Sequence, residues 1–159
     1  PGNLVKVSRI YRDARMHPPE PYKESLWICI RQDVEWWAEN PCLYFEICPE
    51  EVSYGFFYYK PSPATMETMR NNWAANPKEF LDLIQKTEKA TGIPVTANVY
   101  KRPKPAPRED LAKYFAWKDQ LSCVITEPVS PEIFGPDLGV RAGAFIEKLI
   151  PLYEYFCRY

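Results

Sequence analysis

The sequence predicts an α+β domain, an antiparallel sheet with helices packed mainly on one face. Three features lead to this. Short alternating or aromatic runs between residues 25 and 60 read as strands, and two capped amphipathic helices follow with no strand between them. The remainder runs strand, helix, strand, helix, an order that gathers helices beside an antiparallel sheet. With 159 residues, 46% of them hydrophobic, the chain is the size of a single domain with one substantial core.

Each element has a local reason. Residues 4–16 alternate imperfectly and read as extended, and "PPEPY" at 18–22 forces a rigid loop. In "SLWICIRQD" (25–33), Leu26, Ile28 and Ile30 alternate with Trp27, Cys29 and Arg31, a strand with one buried face. "VEWWAENP" (34–41) is a polar-aromatic turn. "CLYFEIC" (42–48) and "VSYGFFYYK" (52–60) form a hairpin, in which Gly55 marks a bulge or a close approach to the backbone.

Ser62-Pro63 caps a helix whose inner face is Met66, Met69 and Trp73. Asn76-Pro77 opens a second, with Phe80, Leu83, Ile84 and Thr87 inside and Gly92 closing it. A strand is predicted at 95–100, a basic proline-rich loop at 101–108, a short helix at 108–119 and a strand at 121–129. The last helix carries Leu138, Ala142, Phe145, Leu149, Leu152 and Phe156 at helical spacing, with Pro151 expected to kink it.

Composition excludes several function classes. Lys+Arg 20 against Asp+Glu 21 provides no excess of positive charge for non-specific nucleic-acid binding. The five cysteines show no C-x-x-C pair and lie largely in apolar runs, which points to a reducing cytoplasm rather than to a disulfide framework or a zinc site. No run approaches the length of a membrane span. Gly-rich phosphate loop, G-x-S-x-G elbow, H-E-x-x-H and dinucleotide fingerprint are all missing, so no cofactor or metal is expected.

One segment concentrates charge: "RIYRDARMHPPEPYK", residues 9–23. On a strand, Arg9, Tyr11, Asp13 and Arg15 share a face and Arg12 points away. Two readings stand. Asp13 neutralises its arginines and the cluster is a brace, or an arginine fork is left over for an anionic ligand. His17, the only histidine, has no companion for catalysis or metal binding and reads as a loop residue. Glu46 alternates to the face opposite Leu43, Phe45 and Ile47; paired across the sheet with Asp13 or Glu127 it is a candidate general acid or base, against the plainer reading that it faces water. The aromatic strand Tyr54–Tyr59 is mostly core, with one ring set either covered or available as a platform.

The residues Arg9, Arg12, Asp13, Arg15, Tyr22 and Lys23, in the order R-I-Y-R-D-A-R-M…P-Y-K, resemble the motif of the family called domain of unknown function 2461. "YGFFYYKPSPATMETMRNNWAANPKEF", "KRPK" (101–104), "YFAWKD" and "LIPLYEYF" resemble the family in the same order, so the likeness covers most of the chain. Met16 stands where the family has Phe, and "HPPEP" is a residue short of its polar stretch. The resemblance implies a fold but no activity. It also implies a helical region ahead of the motif that this chain would lack.

The expectation is therefore a domain that holds a small phosphate or carboxylate compound. Arg9, Arg12, Arg15, Tyr22 and Lys23 would form the site, with Lys101 and Arg102 as further ligand-facing cations. Catalysis is left open. The alternative is a non-catalytic interaction module, its arginine–aspartate cluster structural and its Trp36 and Trp37 facing a protein partner.

Overall fold

The computed structural model describes residues 2–12 and 21–159. Its six strands form one antiparallel sheet: β1 (Asn3–Val7), β2 (Leu26–Gln32), β3 (Cys42–Ile47), β4 (Glu51–Tyr58), β5 (Thr96–Val99) and β6 (Trp117–Pro128), in the order β1-β2-β3-β4-β6-β5. Helices α1 (Pro63–Ala75), α2 (Pro77–Thr91) and α4 (Asp137–Phe156) lie on one side; α3 (Ala112–Phe115) is a single turn ahead of β6. The architecture is the α+β arrangement that the sequence predicts.

Alternation along β4 sets the two faces. Val52, Tyr54, Phe56 and Tyr58 are all buried toward the helices, and their β3 and β6 neighbours Leu43, Leu121 and Cys123 join them. α4 closes this row: Phe156 meets Phe56 at 5.6 Å and Tyr58 at 6.3 Å, and Phe145 meets Tyr54 edge-on at 5.7 Å. α1 lies on β6, where Trp73 stacks on Phe80 of α2 at 4.3 Å and meets Trp117 edge-on. The Ser62 hydroxyl accepts from the Thr65 amide at 3.1 Å, capping α1 and contributing about 1 kcal/mol.

Four details add to or depart from the sequence reading. The helix expected over 108–119 contracts to a 3-10 turn at Glu109–Leu111 and the four residues of α3, because Trp117 is drawn into the core and starts a twelve-residue strand. α4 runs unbroken through Pro151, which sits on the exposed side, where water can satisfy the carbonyl its missing N–H leaves free. Leu26 and Ile28 do face the helix side, yet both are exposed, since α4 meets β1 and β2 only at their other end, where Tyr153 donates to Asn3 Oδ1 at 2.8 Å and Gln32 Nε2 to the Cys157 carbonyl at 3.4 Å.

The fourth is Arg70, one turn from Trp73 on the inner face of α1 and only 1% exposed. Its Nη2 donates to the Trp117 carbonyl at 2.6 Å, Nη1 pairs with Glu67 at 3.3 Å, and the guanidinium lies over the Tyr100 ring. This cation ties α1 to the start of β6.

Gly55 is a close approach with no register shift: it pairs with Tyr44 on one side and Val124 on the other. Its φ is +149°, and a Cβ there would stand 2.3 Å from the Cys123 carbonyl oxygen. Gly55→Ala is expected to cost roughly 3 kcal/mol or more, from backbone strain plus the clash. Gly143→Ala, in open space on α4, should instead add about 0.5–1 kcal/mol. Urea unfolding of the two variants checks both signs.

Candidate functional site

The sheet face opposite the helices has no element packed along it among the described residues, apart from the short 3-10 turn Trp37–Glu39 beyond the end of β2. The pairing register arranges this open face in rows across β1, β2 and β3. Leu4, Arg31 and Cys42 form one row; Lys6, Cys29 and Tyr44 the next; Trp27 and Glu46 a third, with the Ser8 hydroxyl accepting from the Trp27 amide at 3.0 Å. Lys6, Trp27, Cys29, Arg31, Cys42, Tyr44 and Glu46, with Trp37, line a cleft of about 460 Å³. That volume suits a small ligand.

Among the described residues, no ion pair compensates the charges of the cleft. Arg31 Nη1 donates to the carbonyls of Gln32 at 3.2 Å and Val34 at 3.4 Å, so the guanidinium is held in place by dipoles and meets no carboxylate within 4 Å among the described residues. Lys6 and Glu46 likewise have no ion-pair partner among those residues. The other concavities differ in this respect. A groove of about 350 Å³ beside α1, α2 and the C-terminus contains the Arg158–Glu79 pair at 2.8 Å. A groove at the start of α4 contains Glu127, which accepts from Tyr54 at 3.0 Å and from Arg141 at 3.1 Å.

Burial dominates titration on the open face. It pushes the Cys42 thiol up to about 12 and raises Cys29 as well, the latter opposed by the adjacent Arg31 guanidinium. Tyr44 is raised by burial, with a hydrogen bond to the Ser53 hydroxyl acting the other way. The floor is therefore neutral at physiological pH, two thiols and a phenol, while the rim holds the charges.

The residues singled out by the sequence fall in three places. Arg9 and Arg12, with Tyr22 and Lys23, lie on an arm that continues the β1–β2 hairpin. Arg12 N donates to Pro21 O at 2.8 Å, Lys23 N to Ile10 O at 2.9 Å, and Tyr11 faces Tyr22 with ring centroids 5.5 Å apart. Arg12 pairs with Glu24 at 3.3 Å. Arg9 is exposed and Lys23 half-buried. Asp13, Arg15 and His17 lie outside the described residues. Lys101 and Arg102 follow β5 at the opposite edge of the sheet, five strand spacings or about 24 Å from β1, so they do not converge with the arm.

Glu46 is on the open face, where its alternation placed it, but Glu127 is on the helix face with Tyr54 and Arg141, so the two carboxylates do not pair. Sequence reasoning missed Lys6 and Arg31 as site residues. Their signal was present in the alternation of Trp27, Cys29 and Arg31, a polar-aromatic face with no reason to be covered.

All five cysteines are free. Because the raised Cys42 must shed its proton to react, its alkylation by iodoacetamide at pH 8 should be slow in the native chain and fast once unfolded. The sign for stability follows: the contribution of the neutral thiol is intact below the ordinary value of 9.0 and is lost as pH rises toward about 12. Mass spectrometry of the labelled chain checks the first expectation, and alkaline melting of the parent against Cys42→Ala checks the second.

No helix among the described residues is long and apolar enough to cross a membrane. Comparison with known proteins adds one finding. No curated protein and no solved structure matches the chain. The model of the family described as a conserved hypothetical protein (DUF2461) matches residues 3–155, which takes in every strand and nearly all of α4, and the chain belongs to that family.

Proposed function

We propose that this domain binds a small anionic compound, a phosphate or a carboxylate, in the cleft on the open face across β1, β2 and β3. The observation that carries the reading is Arg31: a guanidinium oriented by two backbone carbonyls, uncompensated by any described carboxylate, at the edge of an apolar-floored cleft. A preorganised planar fork meets an oxyanion with two parallel hydrogen bonds and little further ordering cost. Lys6, one row away, supplies a second charge. The hairpin arm with Arg9 and Lys23 extends past the Trp27 row, and neither of those side chains lines the cleft.

Catalysis would be an extension of the same site. Glu46 stands in the cleft as a general acid or base, and Tyr44 as a proton donor held neutral by burial. The five free thiols support a reducing, cytoplasmic setting. A second reading rests on exposure: Trp36 and Trp37 are 72% and 56% exposed, which suits a protein-binding surface at the same end of the sheet.

A thermal-shift titration with inorganic phosphate, benzoate and citrate tests the proposal. A ligand at 100 times its dissociation constant stabilises by roughly 2.7 kcal/mol, a rise of several degrees for a domain of this size. The expected result is a rise for at least one anion in the parent that is lost in a folded Arg31→Gln variant. A rise that persists undiminished in Arg31→Gln, or no rise with any of the three, contradicts it.

A further inference from the structure

The cleft is charged unequally at its two ends, and this specifies more than an anion. Arg31 and Glu46 lie on the same face but two rows apart, since Arg31 pairs with Cys42 and Trp27 with Glu46. Four residues along a strand is about 14 Å. Cations therefore occupy one end and middle of the cleft, and a carboxylate without an ion-pair partner among the described residues occupies the other. Glu46 does not stand alone there. Trp27 is directly opposite it on the neighbouring strand, with both side chains lining the cleft. A carboxylate beside an indole is the pairing that holds an ammonium group, by charge and by the ring face together.

Between the two ends the floor is Cys29 and Tyr44, with Cys42 beside Arg31; they present polarisable sulfur and a ring, with Trp37 forming part of the wall. Such a surface offers contact to a flat apolar body and few hydrogen bonds to a sugar or a free phosphate. From this arrangement we infer that the ligand of the cleft is an aromatic anion carrying an ammonium group at its far end. Its carboxylate or phosphate lies toward Arg31 and Lys6, its ring over Cys29 and Tyr44, and its ammonium against Glu46 and Trp27. The inference rests on the anion-binding reading above and adds the body and the second charge.

The test measures binding by calorimetry with para-aminomethylbenzoate, its biphenyl homologue, the matching methyl compounds that lack the amine, and inorganic phosphate. The chains are the parent, Arg31→Gln and Glu46→Gln, the last isosteric and at a half-buried position. In the parent, the better-fitting aminomethyl compound should bind about tenfold tighter than its methyl counterpart, a difference of about 1.4 kcal/mol. Glu46→Gln should remove that advantage while leaving the methyl compound unchanged, and Arg31→Gln should weaken both. Equal binding of the two in the parent, or an advantage that survives Glu46→Gln, overturns the inference. Phosphate binding that depends on Arg31, with no gain from a ring or an amine, overturns the inference alone and leaves the anion site standing. If neither phosphate nor any aromatic acid binds, both fall.

Discussion

The packing of α4 onto alternate residues of β4 is the contact on which the rest of the molecule depends. Phe145 and Phe156 engage Tyr54, Phe56 and Tyr58, and all five are nearly or fully withdrawn from water. Fully burying one such side chain stabilises by about 1.5–3 kcal/mol, so a one-residue slip of β4 would forfeit the row. Strand side chains alternate with period two, and fixing β4 therefore fixes which residues of β3, and through β3 of β2 and β1, face away from the helices. The open face is a consequence of the core.

That consequence explains the composition of the cleft. Residues at the centre of the helix side had to be apolar, and are, while Asn3, Gln32 and Glu127 at its margins hydrogen-bond to groups there. Those on the other side were free to carry Lys6, Arg31, Glu46, Trp27 and Tyr44, because water or a ligand could solvate them. The contrast with Arg70 is instructive. That cation is buried, takes a backbone carbonyl and a carboxylate as partners, and serves as a tie between α1 and β6. Arg31 donates to carbonyls and, among the described residues, meets no carboxylate, so its charge stays available. The same residue type is a brace in one environment and a candidate anchor in the other.

The sheet and the three long helices were legible because their signals are local: alternation in 25–33 and 42–60, the Ser62-Pro63 and Asn76-Pro77 caps, and the helical stripe from Leu138 to Phe156. Where the reading failed, tertiary packing outweighed a local preference. Trp117 left a helical pattern to fill the core, and Leu26 and Ile28 read as core although the helices stop short of them. Candidate site residues were harder to find, since local charge density drew attention to residues 9–23. The cleft instead collects one residue of β1, alternate residues of β2 and β3 and one of a 3-10 turn, and strand order brings them together. Arg70 was detectable: it shares the spacing of Met66, Met69 and Trp73, and a cation inside an apolar stripe calls for a buried partner.

The central claim is that the open face at β1–β3, rather than a helix-side groove, receives the ligand. An isotope-edited NMR titration of the intact chain with phosphate and benzoate tests it most directly. The account predicts perturbations concentrated on the Arg31 side chain, the Trp27 and Trp37 indoles, and the backbone of Lys6, Cys29 and Tyr44. Perturbations confined to the groove of Asn72, Glu79 and Arg158, or to the Glu127–Arg141 groove at the start of α4, would contradict it.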